Sequence, residues 1–402
     1  MNKFKILNDP IYGFINIPSE LVFDIIEHPF FQRLRRISQM GLSHFVYQGA
    51  HHTRFEHALG AMFLMQRAIS SLRKKGVKIS ENENDSLLLA ILLHDIGHGP
   101  FSHTLEHSLV TNIHHEEISL LFMEQLNKEF DGKLTTAIQI LKGQYHRKFL
   151  NQLVSSQLDI DRLDYLKRDS FYTGVTEGNI NSERIISMLN VVDDSLVVEE
   201  KGIYSVEKFI VARRLMYWMV YLHKTSLVAD FVLLNILKKA KELVSKGAEL
   251  PCSGSLQVFL KQTETFTFND ELLLEFSKID DYDIIMALKQ WKNYPDKVLA
   301  TLSNSIINRK LPKISIQDNE FSKVTIQQKR EETKVKLAIS DNDVDYFFGV
   351  GMIENQAYNL HNSSIDILLK SGEIKDITEA SDHMNLLALS KPVVKHFMYY
   401  PK

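Results

Sequence analysis

The 402-residue sequence contains one cysteine, Cys252, which excludes an internal disulfide framework and any zinc cluster built from several thiolates. Proline (9) and glycine (17) are scarce, so the chain lacks the turn punctuation of an all-β protein and reads as long helices. Long apolar runs are missing too. Residues 87–93 and 215–222 fall far short of the ~18 residues that a membrane span needs. The N-terminus, MNKFKILNDP, has no apolar stretch of the secretory kind, and a cytoplasmic protein with no membrane partner is the expectation. Neither sign of charge dominates: 47 Lys and Arg stand against 50 Asp and Glu, a net charge of -3. No global basic field therefore calls for nucleic acid, and an anionic ligand would need a local cluster of cations. With 44% hydrophobic and 24% charged residues, a globular chain with a core is expected rather than disorder.

Residues 1–18 alternate apolar and polar positions around Asn8-Asp9-Pro10 and Gly13, the pattern of a hairpin. Ser19 can cap a helix running to Ile26, and Pro29 can open another through Ser38. Thr53-Arg54-Phe55-Glu56 is a capping box, so a helix starting near Arg54 carries His57 in its first turns. Residues 73–85 read as a loop, and 86–95 as a segment too apolar for the surface, broken by Gly97, Gly99 and Pro100. Further helices are expected over 104–109, 114–130, 133–141 and 146–167. Residues 196–206 suggest a small hairpin turning at Lys201-Gly202, followed by one long helix from Val206 to Val244. A loop over 248–256 precedes helices at 270–293 and 295–308. From about residue 310, ISIQ, VTIQQ, KVKLAIS, YFFGVGM and IDILL favour β-branched and aromatic residues. The expected fold class is mainly α, with a short N-terminal hairpin and an α+β lobe at 310–402.

What the sequence has in excess is histidine. Ten of its 16 histidines lie between His44 and His115, and histidine is the usual metal ligand and proton carrier near neutral pH. His94-Asp95 ends the apolar 86–95 segment and is followed by Ile96-Gly97-His98-Gly99-Pro100-Phe101-Ser102-His103. Adjacent helical residues diverge by roughly 100°, so both reach one ion only where the helix end points into a pocket. Burying an unpartnered imidazole and carboxylate is costly, and a divalent cation offsets that cost. Taken alone, such a pair is more often a cap or a core hydrogen bond. Here His57 precedes it on the capped helix and Asp161 follows it in LDIDRLDYLKRD.

His57, His94-Asp95 and Asp161 together resemble the H…HD…D pattern of the HD-domain metal-dependent phosphohydrolases. RLRRISQMGL, TRFEHALG, HDIGHGPFSH, HHEE, DIDRLDYLKRD and RRLMYWMVYLHK, in this order over residues 5–240, are similar to the deoxynucleotide triphosphohydrolases. That branch includes the sterile-alpha-motif/HD enzymes and their bacterial relatives. Two imidazoles and two carboxylates form a mixed N/O site suited to Mn, Fe, Ni, Zn or Mg, with positions left for water and a phosphate oxygen. His98, His103 and His115 are candidate donors around a phosphate, although polar loop histidines would look the same. The resemblance implies that His103 protonates the leaving 5′-oxygen and that His98 and His115 contact phosphates. It also implies that Asp161 is a metal ligand within the catalytic set. His51, His52, His107 and His114 read as structural or supporting residues, and His44 is unassigned.

Asp161, Tyr165 and Asp169, spaced i, i+4, i+8, share one helix face, as do Arg213, Tyr217 and Tyr221. A tyrosine can stack on a base or sugar, an aspartate can accept from a sugar hydroxyl, and an arginine can clamp phosphate. On spacing alone, Tyr217 and Tyr221 read as core and Arg213 as solvated. The resemblance instead implies a nucleotide pocket of Gln39, Met40, Arg54, Arg162, Tyr165, Asp169, Arg213 and Tyr221. The chain departs from the family's pattern at Tyr217, where the vertebrate enzyme has histidine, at Leu222 in place of glutamine, and at Arg162 in place of lysine. At the N-terminus, Lys5, Ile6, Asn8, Gln32 and Arg35 match positions that bind an activating nucleotide between subunits in the family. Glu27 stands where an aspartate reads that activator's guanine edge. As plain sequence, these six are surface residues of the first elements.

Four segments are expected: an N-terminal hairpin and helices (1–48), the HD core (49–245), a helical extension (246–309) and the α+β lobe (310–402). The expected activity is metal-dependent hydrolysis of dNTPs at the α-phosphorus to deoxynucleoside and inorganic triphosphate. Activation by dGTP or GTP and a homo-oligomer, dimer or tetramer, come with the resemblance. Two alternatives stay open. One is hydrolysis of another phosphoester, such as a monophosphate, cyclic nucleotide or alarmone. The other is a nucleotide-sensing or single-strand nucleic-acid-binding assembly. The intact ligand set favours an enzyme, for which nucleic acid is not required.

Overall fold

The computed structural model describes residues 5–110, 113–262, 268–360, 364–382 and 386–402, apart from the side chains of His107 and Leu387. Strands β1 (Ile6–Asp9) and β2 (Gly13–Asn16) form the antiparallel hairpin, and Ser19 Oγ accepts from Val22 N to start α1 (Glu20–Glu27). Two capping boxes launch the long core helices. Thr53 with Glu56 starts α2 (Arg54–Lys74), and Ser80 with Glu83 starts α3 (Glu81–Leu93). Helix α3 therefore begins five residues before the apolar stretch that gives it away in sequence, and the loop before it is shorter than 73–85. Residues 87–93 are buried on every side, which explains why α3 carries no polar stripe.

Helix α4 (His115–Glu129) follows the histidine-rich loop, and Asp159 caps α5 (Ile160–Thr173) by accepting from Arg162 N at 2.8 Å. The expected 146–167 helix is thus two helices, Lys148–Val154 and α5, separated by the Ser155–Asp159 cap region. The following hairpin, β3 (Leu189–Val192) with β4 (Ser195–Glu199), turns at Asp193-Asp194 rather than at Lys201-Gly202. Both aspartates are left-handed (φ 47° and 59°), the geometry a tight two-residue hairpin requires.

The expected 206–244 helix is broken. Helix α6 (Ile203–Met216) runs into one π-helical turn, Tyr217–Tyr221, where Leu222 N donates to Tyr217 O at 2.7 Å. His223 Nδ1 then accepts from Thr225 N and opens α7 (Lys224–Ser245), bent 58° from α6. A π turn adds a residue to the helical turn, and such turns concentrate at functional sites. The region 270–293 likewise divides at the Asp280 cap into Asp270–Phe276 and α8 (Asp281–Trp291), before α9 (Lys297–Ile307).

Beyond residue 310 the chain forms β5 (Lys313–Gln317), α10 (Lys323–Leu337), β6 (Gly349–Asn355), β7 (Asp366–Leu368), β8 (Ile374–Asp376) and β9 (Val393–Tyr400). The β-rich reading of VTIQQ and KVKLAIS fails here. Ser322 caps α10, and Gln327–Glu331, Gln328–Glu332 and Lys329–Glu332 pairs run along its surface, so i, i+3 and i, i+4 side-chain bonds override β-branched content. Strands β5, β9 and β6 form one sheet. Strands β7 and β8 extend the β3–β4 hairpin, with β4 parallel to β7, so backbone hydrogen bonds tie the C-terminal segment to the core. One apolar cluster runs from Ile15 to Tyr399. Among the described residues, no single helix is long and apolar enough to cross a membrane.

Two glycines set the distances at which the site-bearing elements meet. A Cβ on Gly60 of α2 would lie 2.1 Å from the Arg168 guanidinium and 2.2 Å from Asp164 Oδ1, both on α5. A Cβ on Gly97 would lie 2.2 Å from His115 O and 2.3 Å from Ser119 N of α4. Gly60→Ala should therefore force α2 and α5 apart and cost about 1–3 kcal/mol, against the small gain that alanine brings to an unconstrained helix. Chemical denaturation would check this, and an unchanged or raised midpoint would contradict the packing account.

Candidate functional site

The helix ends converge on a cluster of nitrogen and oxygen atoms. His57 comes from the first turn of α2, His94 and Asp95 from the end of α3, and Asp161 from the first turn of α5. His57 is fully buried, and its Nε2 lies 3.0 Å from Asp161 Oδ1 and 3.7 Å from Asp95 Oδ2. His94 Nε2 lies 3.3 Å from Asp161 Oδ1 and 3.4 Å from Asp95 Oδ1. Ligand atoms of His57, His94 and Asp161 all fall within 4.8 Å of one another. Asp95 stands at the edge of this trio, because its Oδ2 pairs with Arg54 while Oδ1 also faces His98 Nε2 at 3.4 Å.

The tautomers follow from the outer partners. His94 Nδ1 is 2.7 Å from Ile91 O, and a carbonyl only accepts, so Nδ1 carries the proton. His57 Nδ1 donates to Asp164 at 2.8 Å, and Arg168 holds Asp164 in place through two hydrogen bonds of 2.9 and 3.1 Å. In a neutral ring each Nε2 is then a bare lone pair, buried without a hydrogen-bond partner and facing carboxylates that also only accept. Such a convergence of acceptors needs cations. Without a metal it takes up protons: burial would lower the His57 pKa, but Asp161 and Asp164 outweigh it and push it up to about 10. For His94, Asp95 and Asp161 likewise overcome burial and give about 9. Burial opposes ionisation of Asp95 and Asp161, yet His94 with Arg54, and His57 with His94, hold the two carboxyls well below the usual range. The donor set, the outer hydrogen bonds and the orphaned lone pairs all fit a divalent metal.

A second histidine group adjoins it. The His98 and His115 rings stack at 3.8 Å, with His103 edge-on at 4.7 and 5.2 Å. Glu106 accepts from His103 Nδ1 (2.9 Å) and from His115 Nδ1 (2.6 Å), which turns both Nε2 atoms outward from the carboxylate. Burial and the nearby Arg54 charge hold His98 well below its usual pKa, so that ring is neutral. The loop that carries these histidines is strained: Phe101 and Ser102 are left-handed (φ 54° and 53°). Asp281 holds it through Phe101 N (2.7 Å) and Ser38 N (2.9 Å), and buried Arg33 donates to the carbonyls of Ile96 and His98.

Both groups open on a cavity of about 420 Å³. Gln39, Met40, Arg54, Arg162, Tyr165, Asp169, Tyr217 and Tyr221 line it, together with Asp95, Asp161, His98, His103 and His115. Asp169 accepts from Tyr221 OH and His52 Nε2, both at 2.7 Å, which gives His52 its supporting place. Arg213 lies apart from this lining. Its guanidinium donates to Ala357 O at 3.0 Å and stands 5.8 Å from the Tyr217 ring. Lys5, Ile6, Asn8, Glu27 and Arg35 are exposed and Gln32 is half-buried; Lys5 covers the Phe23 ring and Arg35 covers Phe55 while bonding Gln32. His114 caps α4, His51 packs near His44, and the side chain of His107 lies outside the described residues. Sequence reasoning missed Glu106, Asp164 and Arg168. The spacing of Asp161, Asp164 and Arg168 in one helix was a signal for the last two, and the i, i+3 spacing from His103 was one for Glu106.

Residues 54–169 match the HD domain family, and residues 180–249 match the HD associated region. A phosphohydrolase crystal structure from Bacteroides thetaiotaomicron is 52% identical, with a TM-score of 0.96 over 100% of both chains. This chain belongs to the HD-domain phosphohydrolase family. The uncharacterized protein YwfO of Bacillus subtilis is 30% identical over 100% of this chain and 93% of its own length. Human deoxynucleoside triphosphate triphosphohydrolase SAMHD1 is 28% identical over 68% of this chain, which spans 51% of that protein. HD domains bind divalent metals, and His57, His94 and Asp161, with Asp95 at their edge, are residues that could hold such an ion.

Metal and protons then compete for the same nitrogens. With folded pKa values of about 10 and 9 against an ordinary 6.5, the metal-free HD phosphohydrolase should lose stability as pH rises from about 6.5 to 10. Divalent metal should remove that slope and should release protons when added at neutral pH. Thermal melts against pH and calorimetry in two buffers of different ionisation enthalpy would check both. Metal uptake with no proton release would contradict the assignment.

Proposed function

We propose that this HD phosphohydrolase hydrolyses deoxynucleoside triphosphates at the α-phosphorus. One observation carries the reading: a single cavity joins the metal-ligand cluster, two arginines, three ring donors and a Tyr165–Asp169–Tyr221 end of a size and polarity suited to a sugar. The triphosphohydrolase activity for which the human relative SAMHD1 is named supports the same substrate class. Arg54 and Arg162 neutralise phosphate charge. Arg162 is already oriented by Ser156 O (2.8 Å) and Asp159 (3.2 Å), and Arg54 by Asp95 and Ser102 Oγ. A bound divalent ion supplies Lewis-acid polarisation of the phosphoryl group and activation of water. Water adds to the α-phosphorus and releases a proton to solvent, the bond from phosphorus to O5′ breaks, and the leaving oxygen takes a proton from His103, which Glu106 orients and which regains one from solvent. The products are a deoxynucleoside and intact triphosphate. Tyr165 and Tyr221 face the sugar, with Asp169 accepting from its hydroxyl. In this reading Arg213 leaves Ala357 O to reach a triphosphate.

The exposed N-terminal group of Lys5, Ile6, Asn8, Glu27, Gln32 and Arg35 is the proposed contact for an activating dGTP or GTP in a homodimer or tetramer. Exposed Ile6 and Phe14 on the hairpin support an oligomeric contact there. Product analysis with each dNTP, with Mn or Mg, and with or without added GTP tests the reaction. Deoxynucleoside plus triphosphate is expected, and monophosphate plus pyrophosphate would contradict it. His103→Ala should lower turnover about 10²–10⁴-fold with metal content retained. Asp164→Asn should cost about 10–100-fold in metal affinity or activity through His57.

A further inference from the structure

The wall of the cavity formed by α7 carries chemistry that the reaction above does not use. Asp230 faces the cavity beside Met40, Gly41, Ser43, Phe101 and Thr104. Among the described lining residues the arginines are Arg54 and Arg162, and both are committed elsewhere, to Asp95 and to Asp159. The described hydrogen bond to Asp230 comes from Thr104 Oγ1, 2.9 Å from Oδ1. One hydroxyl proton fills one of about four acceptor positions on a carboxylate, so Asp230 retains capacity for further donors. Burial pushes its pKa up to about 7 despite the Thr104 bond, which marks a carboxyl short of partners rather than one satisfied by the fold.

The backbone leaves room for a donor to arrive. Gly41 is left-handed (φ +50°), and a Cβ there would stand 3.0 Å from Thr104 Oγ1 and 4.0 Å from Asp230 Oδ1. Any other residue would fill the space beside the carboxyl. Met40 and Phe101, with apolar side chains, line the same cavity.

We propose that Asp230 selects the base of the bound nucleotide and favours guanine, whose adjacent N1–H and N2–H donors match the two oxygens of one carboxylate. Adenine and cytosine offer one amino donor next to a ring acceptor, and thymine offers one N–H between carbonyls. Each would leave a carboxylate oxygen facing a lone pair. The inference rests on the nucleotide reading of the cavity.

Equilibrium binding of dNTP analogues of the four bases, with a methylene in place of O5′ so that the scissile bond is absent, to the metal-loaded protein tests it separately from turnover. The wild type should bind the guanine analogue tightest. Asp230→Asn, which keeps the shape and can still accept from Thr104, should weaken guanine binding about 10- to 100-fold and shift the preference toward adenine and cytosine, whose amino donor and ring acceptor match an amide. A guanine preference lost in this variant supports the proposal. Binding without base preference in the wild type overturns it, as does a uniform loss across all four bases in the variant. Should Asp230→Asn fail to fold, Asp230→Ser, which keeps an acceptor for Thr104 but lacks the paired oxygens, should likewise lose the guanine preference. Failure of all four analogues to bind the wild type would overturn the nucleotide reading together with the base assignment.

Discussion

The hydrogen bond from His57 Nδ1 to Asp164 decides which nitrogen of His57 meets the cluster. Asp164 can hold that proton only while ionised, and it is fully buried, so Arg168 must stand beside it. Arg168 in turn reaches Asp9 at 2.9 Å, which fastens the N-terminal hairpin to α5. Gly60 is the gap through which α2 approaches this network closely enough for His57 to join it. Removing one partner from such a chain leaves a buried charge unpaired, which costs far more than the net worth of the pair. The hairpin, two core helices and His57 are thus one electrostatic unit.

The same device is repeated at lower burial. Glu106 plays for His103 and His115 the part that Asp164 plays for His57: each carboxylate takes the Nδ1 proton and leaves Nε2 free for the cavity. The loop between the two histidine groups is held in a left-handed conformation by Asp281 and Arg33, which lie far apart in the chain. Residues outside the ligand set therefore determine its geometry. The HD associated region contributes through the π turn that brings Tyr217 and Tyr221 to the cavity.

Signals that act within a few residues were legible in the sequence. The hairpin, the Ser19 and Thr53 caps, the buried character of 87–93 and the His94-Asp95 doublet all reflect contacts local to their own segment. What the sequence hid depends on the third dimension. VTIQQ and KVKLAIS read as β-rich by composition, but surface pairs and the Ser322 cap make Lys323–Leu337 a helix. The α6–α7 break has no proline or glycine to announce it. Asp164 and Arg168 sit among residues that read as one charged helix face until the opposing Gly60 and His57 are in position. Arg213 follows the helical spacing of the tyrosines yet turns to Ala357 O, because a residue far along the chain supplies the acceptor.

The central claim is that His57, His94, Asp95 and Asp161, rather than the neighbouring His98, His103 and His115, hold the ion. Anomalous diffraction from crystals of the protein grown with Mn²⁺ tests it directly. The account predicts a peak bounded by the Nε2 atoms of His57 and His94 and by Asp161, with Asp95 on its edge. A peak confined to the His98, His103 and His115 rings, with none at the first group, would contradict it.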